Sequence, residues 1–145
     1  MTPPVEPVLA HRLRVALGRL MRTLRSMEAQ GLSWSQAALL GRLEDGGEAT
    51  AAALAALEGV RPQSMAAALD VLEREGLVAR RPDTQDRRQL LVSITERGST
   101  MIRAARASKE QWLAQAMTKR FTSEDMECVR AAVCLIERLA EEEKQ

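Results

Sequence analysis

The segment from Leu72 to Thr95 constrains the fold of this chain more than any other. Gly76 can take the left-handed conformation that ends a helix, and Leu77 then returns the chain to the core. Apolar residues recur at every second position from Leu90 to Ile94, which is the period of a half-buried strand. The loop between the two extended stretches, Asp83–Arg88, contains two acids and two arginines. The segment therefore predicts a helix end, a strand, a charged turn and a second strand, which is the outline of a winged helix.

A pair of short helices is predicted directly before this segment. Thr50 can cap a first helix, Ala51–Glu58, which Gly59 ends. Pro62 suits the first position of the next helix, because that position needs no N–H donor. This second helix is expected to run to Glu75, with Met65, Leu69 and Leu72 on its buried face. Two short helices joined by a tight turn that contains glycine form a helix-turn-helix, in which the second helix is the recognition helix.

An amphipathic helix is predicted at the start of the chain, from about Glu6 to Ala29. Its apolar residues recur every three or four positions: Leu9, Leu13, Leu17, Leu20, Leu24 and Met27. Ser33 and Gln36 have the spacing of a capping box, which predicts a second helix that ends near Glu44. The residues that this second helix is expected to bury are Trp34, Ala37, Leu40 and Leu43.

Two further helices are predicted after the strands. Thr95 can cap a long helix that reaches about Arg120, and the last helix is expected from about Ser123 to Glu142. The apolar side of the last helix contains Met126, Val129, Val133, Ile136 and Ala140. The first helix and the last two lie outside the small winged-helix core, yet each has a full apolar face. A partner subunit is the economical way to bury those faces, and a self-packed bundle is the alternative.

Composition indicates a single globular domain. The chain has 145 residues, 46% of them hydrophobic and 28% charged. No apolar run approaches the length of a membrane span, and the first residues lack the apolar stretch of a signal peptide, so we expect a cytoplasmic protein without a membrane partner. The net charge of +1 does not indicate nucleic-acid binding, but residues 11–25 contain five arginines and no acid. This run is either a solvated helix face or part of a positive surface that faces phosphates.

Neither the cysteines nor the single histidine indicates a catalytic or metal site. Cys128 and Cys134 are six residues apart in one predicted helix, which places them about 240° apart around its axis. They are expected to be buried free thiols, and a redox role is left open. His11 stands in an arginine-rich helix without a nearby nucleophile. We therefore expect no enzyme activity, no metal and no cofactor.

Three stretches of the sequence closely resemble the MarR family (multiple antibiotic resistance regulators): Leu72–Val78, Asp83–Arg88 and Ile94–Gly98. The specific feature is an acid–arginine loop at this distance from the helix end, followed by threonine and glycine. The resemblance implies a mainly α fold with a small β-hairpin, in which a winged helix-turn-helix is joined to terminal helices that form a dimerisation region. It also implies a sequence-specific DNA-binding transcription regulator, more often a repressor than an activator.

The resemblance divides the single domain, residues 1–145, into a DNA-binding lobe at 33–95 and dimerisation helices at 5–30 and 96–143. The residues expected in the dimer contact are Leu9, Leu13, Val129, Val133 and Ile136. A two-fold dimer places its recognition helices about 34–36 Å apart and implies a palindromic operator in double-stranded DNA. A small-molecule effector of unknown identity, bound in a cleft between the dimer helices and the lobe, would change that spacing.

Residues that can meet bases are expected at the N-terminal end of the recognition helix: Arg61, Gln63, Ser64, Ala67 and Ala68. Arginine can pair bidentately with guanine, and glutamine with adenine. The two alanines allow close approach or contact a thymine methyl group. The alternative for Gln63 and Ser64 is that they are only polar first-turn residues.

The wing residues Asp86, Arg87 and Arg88 match the acid-any-arginine pattern of the family. The resemblance implies that Asp86 pairs with an arginine, expected to be Arg88, and holds the shape of the tip. Arg87 is then the better candidate to enter the minor groove, which attracts arginine where it is narrow. The sequence leaves open which arginine has which role. A winged helix that binds an acidic protein is the alternative function.

Overall fold

The computed structural model of the chain describes residues 4, 6–27 and 31–141, which contain six helices and three strands. The elements are α1 (Pro7–Ser26), α2 (Trp34–Gly46), β1 (Ala49–Thr50), α3 (Ala51–Glu58), α4 (Pro62–Arg74), β2 (Val78–Pro82), β3 (Leu90–Ile94), α5 (Glu96–Arg120) and α6 (Ser123–Glu141). The predicted fold, mainly helical with a winged helix-turn-helix, is confirmed. The chain divides into two compact units between Ser108 and Lys109, so that α5 belongs partly to each.

The first helix is shorter than predicted. It ends at Ser26, and Met27 is already extended with φ −73° and ψ 127°. The hydroxyl of Ser26 donates to the carbonyl oxygen of Thr23 over 2.7 Å. Such a side-chain bond competes with the helical pattern in the last turn. The predicted boundaries at residues 5, 29, 30, 142 and 143 lie outside the described residues.

Local capping signals start the helices of the lobe where they were predicted. At α2 the capping box is complete: the backbone N–H of Gln36 donates to Ser33 Oγ over 3.2 Å, and that of Ser33 donates to Gln36 Oε1 over 2.9 Å. The helix continues two residues beyond the predicted Glu44, because the change of direction comes only at Gly47, with φ 77°. At α3 the hydroxyl of Thr50 accepts from the backbone N–H of Ala53 over 3.1 Å.

The sheet has three antiparallel strands in the order β1-β3-β2. In the hairpin, Val78 is opposite Ile94 and Arg80 is opposite Val92. The two-residue strand β1, which was not predicted, pairs with the outer side of β3 and places Ala49 opposite Val92. Val92 is therefore flanked on both sides and is fully buried.

One apolar core holds the lobe together. Its members are Leu32, Ala37, Leu39, Leu40, Leu43, Leu54, Ala55, Met65, Leu69, Leu72, Leu77, Val78, Val92, Ile102 and Ala105. The predicted buried face of α4 is confirmed. Ile102 and Ala105 come from α5, so the first turns of that helix close the core of the lobe.

Several apolar residues that were expected inside are exposed within the single chain. Trp34 is 40% exposed, so the expectation that α2 buries it is wrong. The guanidinium carbon of Arg25 lies 4.8 Å from the centre of the Trp34 ring, so this ring has a cationic neighbour from α1. Cys128 and Cys134 are free and exposed, and the expectation of buried thiols is also wrong.

The last helix starts at a reciprocal cap. The backbone N–H of Asp125 donates to Thr122 Oγ1 over 3.2 Å, and the backbone N–H of Thr122 donates to Asp125 Oδ2 over 2.9 Å. This backbone hydrogen bond, helped by the threonine hydroxyl, lowers the pKa of Asp125. None of the residues of α6, all of which are described, is buried within the single chain.

Candidate nucleic-acid interface

The recognition helix α4 begins at a turn that leaves its N-terminus open. Gly59 has φ 63° and ends α3, and Val60 N–H returns to the carbonyl oxygen of Ala55 over 3.0 Å. Arg61 is extended and Pro62 is the first helical residue. No side chain among the described residues caps this helix. Free N–H groups at a helix N-terminus attract anions such as phosphate.

The exposed face of α4 includes most of the residues that the sequence singled out. Arg61, Gln63, Ser64 and Ala67 are exposed. Ala68 is half-buried and packs against the core, on the side of α4 that faces the lobe. Four exposed side chains at helical spacing, Gln63, Ala67, Asp70 and Arg74, lie along one face of the helix.

Asp70 and Arg74 on this face were not predicted. The helical spacing from Gln63 was a signal that could have identified them, because positions separated by four, seven and eleven residues share a face. Arg74 Nε lies 3.4 Å from the backbone carbonyl oxygen of Asp70, a long contact that leaves most of its donors available. The face therefore continues beyond the first turn with one acid and one arginine.

The tip of the wing is held by its two aspartates. Asp83 Oδ1 accepts from the backbone N–H of Gln85 over 3.0 Å, and the backbone N–H of Asp83 donates to the carbonyl oxygen of Gln89 over 2.9 Å. Asp86 Oδ1 accepts from both the backbone N–H and Nε of Arg88, each over 3.1 Å. These are local Asx-type turns, which fix a loop without a buried core.

The two wing arginines have different surroundings. Arg88 pairs with Asp86, which is the pairing that the family resemblance implies, although its side chain stays 91% exposed. Arg87 is exposed and makes no ion pair with any described residue. Among the described residues, no ion pair of Arg87 therefore has to be broken before its guanidinium binds a phosphate or enters a narrow groove.

A second charged cluster lies between the wing and α4, and it was not predicted. Arg80, on β2, donates to the carboxylates of Asp70 and Glu73 on α4. With Arg74 these residues line an open surface cleft. Arg81, the next residue on β2, pairs instead with Glu48 over 2.7 Å. No sequence motif indicated these pairs, because they depend on how β2 packs against its neighbours.

The lobe is joined to the first turns of α5 by two more ion pairs. Glu44 Oε2 accepts from the hydroxyl of Ser99 over 2.7 Å, and Glu44 Oε1 accepts from Arg103 Nε over 2.5 Å. These hydrogen bonds, that of Ser99 first, lower the pKa of Glu44. The two terminal guanidinium nitrogens of Arg106, Nη1 and Nη2, donate to Asp45 over 2.8 and 2.7 Å and lower the pKa of that carboxyl.

Hydrogen bonds of Thr95 reinforce the junction between the lobe and α5. Thr95 Oγ1 donates to the carbonyl oxygen of Gly76 over 2.6 Å and accepts from the backbone N–H of Gly98 over 3.1 Å. The backbone N–H of Thr95 donates to the carbonyl oxygen of Leu77 over 3.0 Å. The end of the recognition helix and the start of α5 are therefore tied together by one threonine.

Within the described part of the chain, no group of three or more His, Cys, Asp or Glu side chains could hold a metal ion. Among the same residues, no helix is both long and apolar enough to cross a bilayer.

Comparison with known proteins identifies relatives along most of the chain. A sequence model of the MarR family matches residues 32–90, from the start of α2 to the wing. An HTH-type transcriptional regulator of Mycobacterium tuberculosis is 38% identical over 135 residues, which cover 92% of this chain and 94% of the relative. The HTH-type transcriptional repressor MdtR of Bacillus subtilis is 27% identical over 122 residues, which cover 84% of this chain and 79% of the relative.

A solved structure has the same fold. It is that of a Pseudomonas aeruginosa protein described as a transcriptional regulator, and it superposes on this chain with a TM-score of 0.80 at 33% identity. The match covers 92% of this chain and 94% of the other. The similarity in sequence and the similarity in fold therefore both extend over nearly the whole chain.

Proposed function

The chain belongs to the MarR family of DNA-binding transcription regulators, which are not enzymes, and we propose that it is a homodimeric, ligand-responsive repressor of a palindromic operator. The observation that supports the operator-binding surface best is the pairing of an uncapped, exposed recognition-helix N-terminus with an arginine-bearing wing. Repression is the proposed sign of regulation because the relative MdtR is named a repressor.

In this proposal the first turn of α4 lies in the major groove. Gln63 and Ser64 read base edges, and Ala67 allows the helix to approach closely or contacts a thymine methyl group. Arg61 stands at the entry turn and binds a phosphate, together with the free N–H groups of the helix start. The half-buried position of Ala68 favours a packing role over base contact.

The wing is proposed to bind the adjacent minor groove. Arg87 enters the groove, because its guanidinium has no carboxylate partner among the described residues. Asp86 and Arg88 maintain the shape of the tip, and the exposed guanidinium of Arg88 adds positive charge near the backbone.

A second copy of this chain is the proposed partner of the apolar faces of α1 and α6. Leu9 is 57% exposed and Leu13 is 37% exposed on α1. On α6, Val133 is 46% exposed, and Val129 and Ile136 are half-buried. Apolar faces of this kind on a soluble protein usually mark an interaction surface. A two-fold dimer would cover them and set two recognition helices about one DNA turn apart, roughly 34–36 Å.

Ligand response is proposed as a change in that separation. A small effector can weaken operator binding only if its affinity differs between the DNA-competent spacing and another spacing of the two lobes.

Selection of bound sequences from a random pool of DNA duplexes tests the proposal. A palindromic consensus is the expected result, and the selected duplex then serves as the operator. Titration of operator and scrambled duplex at several salt concentrations should give a steep decrease of affinity with salt for both, and a tighter association with the operator. A chain that binds acidic protein but no duplex would contradict the proposed DNA surface, and a consensus without symmetry would contradict the dimer.

A further inference from the structure

Arg80 occupies an unusual position for an arginine on the wing. Along β2, Val78 and Arg80 lie on the same face of the strand, because alternate side chains share a face. Val78 is fully buried on that face, and the Arg80 side chain is only 19% exposed. It is the least exposed arginine among the ion pairs of the described residues. Most of the Arg80 side chain is thus covered, and its guanidinium reaches two acids of α4.

The guanidinium of Arg80 bridges two acids of the recognition helix. Its Nε donates to Glu73 and its Nη2 donates to Asp70, three residues earlier on α4. Both hydrogen bonds raise the pKa of Arg80, the one to Glu73 more strongly. Two carboxylates one turn apart repel each other, and acids in the C-terminal half of a helix also meet the negative end of its dipole. A cation between them relieves both effects.

The neighbouring Arg81 shows that this bridge is specific to position 80. Its side chain lies on the other face of β2, pairs with Glu48 and is 48% exposed. Arg80 therefore links the wing to the recognition helix. Arg81 forms no ion pair with that helix among the described residues.

Asp70 lies on the exposed face of α4 with Gln63 and Ala67, which we propose to face the major groove. An unpaired carboxylate there would repel phosphates. Arg80 itself is held by two carboxylates and is mostly covered, so it is poorly placed to leave them for a phosphate.

We propose that Arg80 is a positioning residue for DNA binding, which bridges Asp70 and Glu73 so that wing and recognition helix reach their two grooves in a fixed register. The same bridge offsets one of the two negative charges that these acids place on the helix. This inference rests on the proposed DNA surface, in which α4 and the wing bind adjacent grooves.

A double-mutant cycle tests it. Arg80→Ala is compared with wild type in the natural background and in the Asp70→Asn/Glu73→Gln background. Affinities for operator and scrambled duplex are measured by fluorescence anisotropy at several salt concentrations. In the natural background, Arg80→Ala should weaken operator binding about tenfold, within the range of couplings in one salt-bridge network. In the neutralised background it should change affinity less than about twofold, because the partners that it positions are gone.

Two control variants and a folding check keep the outcome interpretable. Arg81→Ala removes an arginine from the same strand and should have the smaller effect. Arg80→Lys keeps the charge but not the planar fork that spans two carboxylates, so its loss should be intermediate. If Arg80→Ala does not fold, as judged by circular dichroism, the lysine variant completes the cycle alone and must show the same dependence on Asp70 and Glu73.

Equal losses in both backgrounds, with a salt slope reduced by about one unit, would identify Arg80 as a phosphate contact and overturn the inference. Wild-type affinity of Arg80→Ala would also overturn it, while the proposed function would stand if Arg87→Ala/Arg88→Ala still lost operator binding. Failure of the wild-type protein to bind any duplex would instead reject the proposed function, and this inference with it.

Discussion

Replacement of Gly98 by alanine tests how closely α5 must approach the end of the recognition helix. An ideal Cβ atom at Gly98 would lie 2.2 Å from the carbonyl oxygen of Leu77 and 2.9 Å from Cγ1 of Ile94. The first neighbour is a backbone atom, so no side-chain rotation can relieve the overlap. That carbonyl is also fixed, because it accepts the backbone N–H of Thr95 over 3.0 Å.

Three contributions determine the effect of Gly98→Ala on stability. Forcing an extra methyl group into a packed site costs about 1–3 kcal/mol, and the upper end applies because backbone must move. Displacing the Leu77 carbonyl weakens its hydrogen bond from Thr95, at a further cost of about 1 kcal/mol. Alanine is favoured over glycine inside a helix by about 1 kcal/mol, which acts in the opposite direction. We expect Gly98→Ala to lower the free energy of unfolding by about 3 kcal/mol.

Denaturant unfolding followed by circular dichroism, at one protomer concentration, measures this change. Gly46→Ala is the matched control, because Gly46 is the exposed last residue of α2 and a Cβ atom added there would meet nothing within 4 Å. That variant should be unchanged or more stable by up to about 1 kcal/mol. Wild-type stability of Gly98→Ala, or an equal loss at Gly46, would refute the close-approach argument.

Four further outcomes are expected. Arg87→Ala/Arg88→Ala should weaken operator binding and lower the salt slope, and unchanged affinity would reject the wing as a DNA contact. Gln63→Ala should cost about 1–3 kcal/mol on the operator and little on scrambled duplex; equal losses would make it a purely positioning residue. Val133→Asp should dissociate the proposed dimer in sedimentation, since an unpaired charge would enter an apolar contact. Glu44→Gln should flatten the acid limb of the curve of unfolding free energy against pH. Hydrogen bonds from a serine hydroxyl and an arginine of α5 hold the pKa of Glu44 below its ordinary 4.5. The stabilisation that they give is present above that value and is lost as pH falls through the lower folded-state pKa.

The parts of the fold that were predicted correctly depend on signals within a few residues. Ser33 with Gln36, and Thr50 before an alanine-rich run, define helix starts through bonds to their own first turns. Gly59 and Gly76 end helices because each can take positive φ, at 63° and 73°. Such information is local, so one sequence is enough to read it.

The parts that were missed depend on distant residues. Strand β1 contains only Ala49 and Thr50 and exists because β3 lies beside it. Trp34 has the spacing of a core residue, but the start of α2 faces an arginine of α1. The bridge from Arg80 to two acids of α4 needs the packing of β2 against that helix. These three features depend on tertiary packing, so the periodicity of a single segment does not indicate them.

The start of α5 belongs with the DNA-binding lobe, although the sequence resemblance divides the two at residue 95. Ile102 and Ala105 are buried in the core of the lobe. Glu44 and Asp45 are paired with Arg103 and Arg106 across the same junction. The first turns of α5 are therefore held to the lobe by apolar burial, by charge pairs and by the threonine that joins the end of α4 to α5. If the spacing of two proposed DNA-binding lobes changes, the first turns of α5 should therefore move together with each lobe. The hinge of such a movement must then lie outside this packed segment.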